Sequence, residues 1–484
     1  MLKSIAHSMK YNDNNTEVLV SAVANKAVTG AVEASTMNSG ESFTGQTLHK
    51  ATRGGLKEVM GANDSEHKTE VKPQTKLLII EEASMASASD IHKILKDVEE
   101  LRKEGTNVKV HLVGDTNQLL PIGAGSPFEQ IQKALGDKVV QMNESQRQRN
   151  ETQQNITEPI AKKDVRTSLE NLDKVGALKE VKDPEERIKA VVDAITKKES
   201  VDIQNFKGET ETKNIDYKNT IGLAATNKEN RAINAGVREK LKEEGYIKDE
   251  VKTTINVGVL KDNIKQSSAS NYAKGMKITS HEGTAKGMAK NTEYKVVGID
   301  EAKNTLKLKT TEADKDGKYN FTVVKTANIA GKVSINKEEE RTFGEGDKVR
   351  ITATSKEAGL TNSDQGIITK MDKEKKIAIV DFGEKGVKKV DLNQEKGLDY
   401  GYSMTNHSAQ GISIEKVVVS MDSENNSMNS MNAAYVALSR QTAQSVLITD
   451  DKEKLMNQVS KEASSVSSLD NLKKPEEVKI ENKV

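Results

Sequence analysis

The sequence contains no cysteine and no tryptophan, and aromatic residues supply only 3% of its 484 positions. Without cysteine, neither a disulfide framework nor a cysteine-based zinc site is possible. The absence of cysteine also fits a reducing compartment. No apolar run is long enough to span a bilayer, and no signal-peptide pattern is present. We therefore expect a soluble, cytoplasmic protein with no membrane insertion.

An excess of charge of either sign is also lacking. The 74 lysines and arginines nearly balance the 73 aspartates and glutamates, which leaves a formal net charge of +1. A uniformly basic nucleic-acid binder is thereby excluded, so any nucleic-acid site has to be a local groove. The length predicts about three domains, enough for sizeable hydrophobic cores.

Strand-like and helix-like segments alternate along the first part of the chain. In order, they are a helix over 2–10, strands at 18–23 and 77–80, a helix over 88–104 and a strand at 108–113. This alternation is typical of a doubly wound parallel sheet. Residues 137–142, "DKVVQM", are a further candidate strand.

The pattern changes twice after that. Residues 151–200 are mostly helical and charged, and "TIGLAAT" (220–226) predicts a strand followed by a helix. From 256 to 395, short β-rich runs alternate with glycine, asparagine and aspartate, which predicts one or two small antiparallel barrels. Strand and helix alternate again over 400–450, so the β-rich block reads as an insertion into a second α/β lobe. The tail from 456 has no aromatic residue and we expect it to be disordered.

Two strands end in side chains that suit nucleotide hydrolysis. "LLIIEEASM" ends a buried strand in Glu81 and Glu82, which could serve a metal ion and an attacking water respectively. By itself this pattern could equally be a strand end with two solvated acids. "HLVGDTNQLLPIGAGSPF" (111–128) ends a second strand in Asp115 and places the amide of Gln118 where it could reach a γ-phosphate. An ordinary glycine–aspartate turn would leave that longer pattern unexplained.

Five segments together resemble the motifs of the superfamily-one DNA helicases, in order and in rough spacing. They are "IIEEASM", "VGDTNQLLPIGAGSPF", "SQRQRN" (145–150), "YSMTNHSAQG" (402–411) and "YVALSR" (435–440). The sequence is most similar to the branch that holds the helicase half of conjugative relaxases and the alpha subunit of exonuclease V. This resemblance implies ATP and Mg²⁺ as cofactors, single-stranded DNA as partner, 5′-to-3′ movement, and an upstream relaxase segment as a possible companion.

The resemblance also implies a fold: α/β, with two RecA-like parallel-sheet lobes and a β-rich barrel insert in the second lobe. By this comparison the first lobe is 1–142, the second lobe is 143–255 with 396–455, the insert is 256–395 and the tail is 456–484.

Residue roles are implied position by position. Glu81 would lie toward the metal, and Arg147 and Arg440 would stabilise transition-state charge, as a planar guanidinium can. The full set is: catalytic, Glu82, Gln118, Arg147 and Arg440; nucleotide-binding, Asp115, Gln148 and Gly411; DNA-coupling, Thr47, His49, Thr405, His407 and Gln410; metal, Glu81. On the residues alone, Arg440 could be a surface arginine and His407 a structural histidine. The aromatic residues nearest the motifs, Phe128, Tyr400 and Tyr402, are more often core residues than platforms for bases.

The sequence departs from the family pattern in two places. Glu81 stands where the family usually has aspartate, and the longer side chain could displace the metal and slow hydrolysis. No G-x-x-x-x-G-K-[ST] occurs; "DGKY" (316–319) and "AGKV" (330–333) lack the loop and the hydroxyl. That loop supplies most of the phosphate site. We therefore expect either a truncated reading frame or a piece of a longer polypeptide; a non-hydrolysing nucleic-acid-binding or interaction module is the alternative.

This departure leads to an expectation for the first sheet. The strand that leads into such a loop would be central, so the sheet should run 18–23, 77–81, 108–113 and then stop. Residues 138–142 should be orphaned or drawn inward. The open edge should make the isolated protein poorly soluble or leave this lobe partly unfolded, while the second lobe stays ordered.

Overall fold

The computed structural model describes residues 16–23, 27–28, 31–32, 44–52, 56–61, 75–119, 121, 125–142, 145, 147–205, 207–260, 263–280, 287–354, 359–406, 408–425 and 429–460. The helix expected over 2–10 and the tail beyond 460 lie outside these residues. The chain divides into two compact units, Met1–Leu241 with Gly401–Val484, and Lys242–Tyr400.

The first unit contains two parallel sheets. The first sheet is formed by β1 (Glu17–Ala22), β2 (Thr44–Thr47), β3 (Thr75–Glu81) and β4 (Asn107–Leu112). Their order is β2-β1-β3-β4, and every pairing between them is parallel. The predicted order β1, β3, β4 is confirmed. Strand β2 was not predicted, because "TGQT" is short and carries no apolar side chain.

Strand β3 is the centre of this sheet because its side chains are buried on both faces, as expected for a parallel strand between two layers. Leu77, Leu78, Ile79 and Ile80 are fully buried. Lys76 is also buried, and its ammonium lies 3.1 Å from the Glu17 carboxylate of the neighbouring strand. This ion pair is what allows a lysine to occupy an interior strand position.

Helices flank this sheet at Leu48–Lys50, Leu56–Gly61, Ala88–Lys103 and Pro127–Leu135. The Ala88–Lys103 helix begins with a capping box, in which Ser87 Oγ accepts from the Asp90 amide at 3.2 Å and Asp90 accepts from the Ser87 amide at 3.4 Å. The helix buries Ile91, Ile94, Val98 and Leu101, which recur at helical spacing on one face.

No strand among the described residues pairs along the outer edge of β4. The interpretation of 137–142 as a strand is wrong: Gly136–Lys138 form a 3₁₀ turn, and the residues after it have no strand partner in the described part of the chain. Val140 and Met142 are 91% and 69% exposed. Of the two outcomes expected for this segment, the structure has the orphaned one. The expected poor solubility stays a prediction.

The second sheet of this unit is formed by β5 (Leu178–Glu180), β8 (Thr220–Ala224), β20 (Ser403–Thr405), β21 (Ile414–Ser420) and β22 (Gln441–Thr449). Their order is β20-β8-β21-β22-β5, again parallel throughout. The strands of this sheet therefore come from chain segments that precede and follow the second unit. Its helices are Glu151–Ala161, Val165–Lys174, Pro184–Thr196, Asn227–Glu243, Met431–Leu438 and Lys452–Val459, and a small antiparallel hairpin is formed by β6 (Glu199–Gln204) and β7 (Thr210–Ile215).

The second unit consists mainly of antiparallel strands. Six of them are β9 (Lys248–Val259), β10 (Lys277–Ser280), β11 (Glu293–Asp300), β12 (Thr305–Thr310), β13 (Phe321–Lys325) and β14 (Val333–Glu345), in the order β13-β12-β11-β10-β14-β9. Five more are β15 (Lys348–Ile351), β16 (Gln365–Asp372), β17 (Ile377–Asp381), β18 (Val387–Asp391) and β19 (Leu398–Tyr400), in the order β18-β17-β16-β15-β19. Short helices are Asn263–Gln266 and Thr326–Ile329.

The two antiparallel sheets share a core, in which Val251, Ile255 and Phe343 of the first pack with Val349, Ile368 and other residues of the second. The barrel expected here is not closed by strand pairing within the described residues, because neither strand order returns to its start. The predicted α/β fold, with two parallel sheets and a β-rich insertion, is confirmed.

Candidate functional site

The two acids of "IIEEASM" lie where the first sheet ends. Glu81 is the last residue of β3, and Glu82 has a left-handed backbone with φ of 52°, which turns the chain into a 3₁₀ turn, Ala83–Met85. A positive φ is unfavourable for glutamate, so the surrounding structure has to hold it. The Ala83 amide does so by donating to the Val113 carbonyl at 2.8 Å. The ends of β3 and β4 are thereby joined.

Gly114 allows the two strand ends to approach so closely. A Cβ atom at this position would lie 2.8 Å from the Ser84 nitrogen and 3.2 Å from the Ala83 nitrogen. Neither backbone atom can move without disturbing Glu82, so the glycine in "VGDT" is a packing requirement. It brings Asp115 next to the acids of β3.

Burial is the largest influence on the pKa of both acids. It raises the pKa of Glu81 to about 7, and the neighbouring charge of Glu82 acts in the same direction. Burial also raises the pKa of Glu82, whereas the charges of Arg440 and Arg147 oppose this shift. Glu81 Oε2 and Ser84 Oγ are buried and have no hydrogen-bond partner among the described residues. Buried oxygens without partners are open to a ligand.

We expect Glu81 to make the protein less stable as the pH rises from 4.5, the ordinary carboxyl value, to about 7. The folded protein keeps a proton that the unfolded chain releases, so this contribution is complete below pH 4.5 and is lost as the pH passes the folded value. The loss is at most about 3 kcal/mol, reduced by the solvent that reaches a half-buried carboxyl group. Urea unfolding at about pH 5 and about pH 8 measures it, and Glu81→Gln should flatten the difference. An unchanged slope in that variant would contradict the assignment.

The loop after β4 is held by residues of the second sheet's layer. The Tyr435 hydroxyl donates to Asp115 Oδ2 at 2.8 Å. One helical turn earlier, the Asn432 amide donates to the carbonyls of Thr116, Asn117 and Gln118 at 3.3, 3.0 and 2.7 Å. Two side chains of one helix, Met431–Leu438, therefore fix the position of the loop that carries Gln118.

Gln118 itself contacts the "TNHSAQG" segment. Gln410 Nε2 donates to Gln118 Oε1 at 3.1 Å, and Gln410 Oε1 is buried without a hydrogen-bond partner among the described residues. The amide predicted to sense a phosphate and the glutamine predicted to couple to DNA are thus directly bonded. A displacement of either side chain would therefore alter its hydrogen bond to the other.

Arg147 and Arg440 approach the same acids from the second sheet. Arg440 is 2% exposed, and it donates to the Val436 carbonyl at 3.1 Å and to Ser439 Oγ at 3.2 Å. Burial lowers the pKa of Arg440 to about 10, the charge of Arg147 acts in the same direction, and Glu82 opposes the shift. Arg147 donates to Ser413 Oγ at 3.0 Å and to the Ser439 carbonyl at 2.7 Å. Neither arginine forms an ion pair with a carboxylate in the part of the chain that the structure describes.

The other residues of the predicted nucleotide set have different surroundings. Gln148 is buried; its amide donates to the carbonyls of Ser439 and Gln441 at 3.3 and 3.1 Å, and it accepts from Ser145 Oγ at 2.6 Å. These bonds hold the segment of Arg147 against the second sheet. Gly411 has φ of 78° and follows Gln410 in the turn.

The residues predicted to couple to DNA divide between the two sheets. Thr47 ends β2 and caps the short helix after it, with Thr47 Oγ1 accepting from the Lys50 amide at 3.3 Å. Thr405 ends β20, and its hydroxyl lies 3.0 Å from Ser408 Oγ. Both therefore occupy carboxyl ends of parallel strands, where α/β sheets present ligand-binding loops. The side chain of His49, and His407 as a whole, lie outside the described residues.

The three aromatic residues nearest the motifs differ in burial. Phe128 and Tyr402 are buried, and half-buried Tyr400 donates its hydroxyl to the Thr342 carbonyl at 2.7 Å. The preference for core packing over base stacking is confirmed for Phe128 and Tyr402, and it stays a prediction for Tyr400, which is only partly buried.

The donor set fits a magnesium ion that is held partly by phosphate. No cluster of three or more histidine, aspartate or glutamate side chains that could hold a metal occurs within the described residues. Mg²⁺ usually takes only one or two protein carboxylates together with phosphate and water. Glu81, with one buried unpartnered oxygen, could supply one of these.

No helix in the described ranges is long and apolar enough to cross a membrane.

The sequence did not single out Asn432 or Tyr435 as members of the candidate site, although Tyr435 opens the "YVALSR" motif. Both contact the Asp115 loop. The available signal was their spacing of three residues, which places two polar side chains on one face of an otherwise apolar helix.

Comparisons with known proteins gave matches to one family and to several solved structures. Residues 1–183 match the AAA domain family. No curated protein matches the chain. Among solved structures, Pif1 helicase from Candida albicans is 16% identical, with 94% of this chain and 89% of that chain covered and a TM-score of 0.40. Pif1 helicase from Bacteroides in complex with ADP-AlF3 and single-stranded DNA is 14% identical, with 94% and 93% covered and a TM-score of 0.33.

Proposed function

We propose that this chain is the helicase portion of an ATP- and magnesium-dependent DNA translocase. The observation that carries the proposal is a pair of arginines, the buried Arg440 and the half-buried Arg147, that have no carboxylate partner in the described residues and face acids of the other sheet. A buried cation is costly unless an anion accompanies it. A nucleotide phosphate between the two sheets is an anion of the required charge and size.

The role proposed for each residue follows from the position of its side chain in the site. Glu81 would hold the magnesium ion, which neutralises phosphate charge when bound. Burial raises the pKa of Glu82, which makes it a stronger base than an exposed carboxylate and suits it to accept a proton from the attacking water. Arg147 and Arg440 would stabilise the charge that develops on the transferred phosphate. Gln118 would transmit the state of the nucleotide to Gln410, to which it is hydrogen-bonded.

The finer parts of the proposal rest on the five motifs. Their order resembles conjugative relaxase helicases, which supports a cytoplasmic, single-stranded-DNA translocase that moves 5′ to 3′ and works beside an upstream relaxase segment. Asp115, Gln148 and Gly411 would contribute to the nucleotide site, and Thr47, His49, Thr405, His407 and Gln410 to coupling with DNA.

A non-hydrolysing nucleic-acid-binding module is the second candidate function. Two sequence features favour it: the 484 residues contain no G-x-x-x-x-G-K-[ST], and Glu81 replaces the usual aspartate. In this alternative the paired sheets serve as a scaffold, and the arginines bind a phosphate that is never cleaved.

Single-stranded-DNA-stimulated ATP hydrolysis separates the two candidates. We expect residues 1–484 to show no turnover near the ordinary enzymatic rate of about 10 per second, because the backbone amides and lysine of a phosphate loop are missing. Joining a strand and G-x-x-x-x-G-K-[ST] segment ahead of Met1 should restore DNA-stimulated turnover. If the extended chain binds nucleotide and DNA but never hydrolyses, the binding-module function is correct. Turnover by 1–484 alone would contradict the proposed role of the missing loop.

A further inference from the structure

The solvent-facing side of the six-stranded antiparallel sheet carries a row of lysines that ends in an aromatic ring. In the strand register, Phe321 of β13 is opposite Lys309 of β12, Lys309 is opposite Lys295 of β11, and Lys295 is opposite Lys277 of β10. Directly opposed residues of antiparallel strands point to the same face. The four side chains therefore form one line across four strands.

A second row lies beside the first. Lys307 of β12 is opposite Val323 of β13, and Lys325 is opposite Thr305 one step further along. The other face of these strands is the apolar core of the sheet, formed by residues such as Leu306, Leu308 and Val324. The alternation of strand side chains thus sorts the lysines to solvent and the aliphatic residues to the core.

The edge strand exposes far more apolar surface than a solvent-facing strand needs. Phe321 is 59% exposed, Val323 is 64% exposed, and Tyr319 just before the strand is 45% exposed. Two exposed rings and a valine in such close sequence form a patch, and exposed apolar patches mark interaction sites.

The lysines near this patch are not neutralised by acids. Lys277 pairs with Glu293 at 3.2 Å and with Glu338 at 3.0 Å. In contrast, Lys295, Lys307, Lys309 and Lys325 form no ion pair within the residues that the structure describes. The positive charge therefore concentrates at the β11–β13 end of the face, beside the rings.

Lysine ammonium groups lie close to both rings. Lys309 Nζ is 3.7 Å from the centre of the Tyr319 ring, and Lys307 Nζ is 5.6 Å from the centre of the Phe321 ring. These cation–π contacts keep the rings and the charges together in one surface. We call this surface the edge platform; it consists of Tyr319, Phe321, Lys295, Lys307, Lys309 and Lys325.

We propose that the edge platform binds single-stranded nucleic acid, with lysines on the phosphates and the Phe321 and Tyr319 rings stacked on bases. Single strands are bound without sequence preference by this combination of basic groove and aromatic stacking. An acidic peptide would also satisfy the lysines, but it would leave both rings without a partner. This second nucleic-acid site belongs to the second unit and needs neither nucleotide nor the Arg147 and Arg440 site.

The test measures binding of a fluorescent oligo-dT by the full 484-residue chain, without nucleotide, over a series of salt concentrations. We expect Lys295→Gln with Lys307→Gln to weaken binding about tenfold and to lower the log–log salt slope by roughly 1.4, about 0.7 for each phosphate that a lysine no longer neutralises. The matched control is Lys370→Gln with Lys389→Gln, which removes two exposed lysines from the other antiparallel sheet of the same unit. The control should change neither affinity nor slope.

Phe321→Ala tests stacking separately from charge. It should weaken oligo-dT binding about fivefold or more while leaving the salt slope unchanged, because it removes a ring and no charge. Phe321 is mostly exposed, so its replacement should not change the unfolding temperature. The proposal is overturned if both lysine pairs weaken binding equally, if Phe321→Ala binds like the unaltered chain, or if poly-glutamate binds the edge platform and oligo-dT does not.

Discussion

In a chain extended by a phosphate-binding loop, Arg440→Ala should lower DNA-stimulated ATP hydrolysis by about a thousandfold or more, the range found for arginines that stabilise phosphoryl-transfer charge. The Arg440 guanidinium is positioned by hydrogen bonds to the Val436 carbonyl and Ser439 Oγ. No carboxylate of the described residues forms an ion pair with it. The charge is therefore available to a transferring phosphate. Single-turnover hydrolysis at saturating ATP measures the decrease without the contribution of binding.

Two variants identify the cause of that decrease. Arg440→Lys keeps a positive charge but not the planar fork, so it should recover only a small part of the rate. Glu82→Gln should abolish hydrolysis while nucleotide binding survives, because it removes a base and leaves the phosphate-binding groups in place. If Arg440→Ala instead weakened binding and hydrolysis equally, Arg440 would be a binding residue only.

Glu199→Ala should destabilise the first unit by about 3–5 kcal/mol, a large effect for an acid so near the surface. Its carboxylate bonds to the ammonium of Lys416, which is 1% exposed on strand β21. The only other described partner of that ammonium is the Ala194 carbonyl, at 2.8 Å. Removing Glu199 leaves a charge in the sheet without an opposite charge. Urea unfolding followed by circular dichroism gives the change in free energy.

Replacing the lysine should have the opposite result. Lys416→Met fills the same space with an apolar side chain and should be neutral or stabilising by about 1–4 kcal/mol, even when combined with Glu199→Ala. The control is Glu99→Ala, which breaks an exposed pair with Lys103 and should leave the free energy of unfolding nearly unchanged. A large destabilisation in Lys416→Met would mean that the lysine itself, and not its unpaired charge, is needed.

The sequence was sufficient to predict those parallel strands whose residues form apolar, β-rich runs. "LLII" and "VKVHLV" are β-rich and apolar, and both are strands in one sheet. It was insufficient for β2, whose "TGQT" has no pattern and pairs only because β1 offers an edge. It was misleading for 137–142, where valines suggested a strand but no neighbouring strand is available in the described residues. Propensity is local, whereas pairing depends on what lies alongside.

The candidate site likewise contains some features that the sequence predicts and others that it does not. Four residues lie at or just after the ends of parallel strands: Glu81, Glu82, Asp115 and Gln118. Their convergence could be predicted from the rule that parallel strands end at one edge. The bond from Tyr435 to Asp115 joins residues 320 positions apart, and no local pattern indicates it. The edge platform was also missed, because "DKDGKYNFTVVKT" reads as an ordinary strand until the register places Lys309 beside Phe321.

The discontinuous second sheet has a consequence for how the protein is made. Strand β8 pairs with β20 and β21, which emerge from the ribosome only after the whole of Lys242–Tyr400 has been synthesised. At about 5–20 residues per second, β8 waits on the order of ten to forty seconds for its partners. Its five buried residues are exposed to chaperones or to aggregation during that time. Folding of the intervening antiparallel unit would shorten the open loop, so early folding of that unit protects the nascent chain.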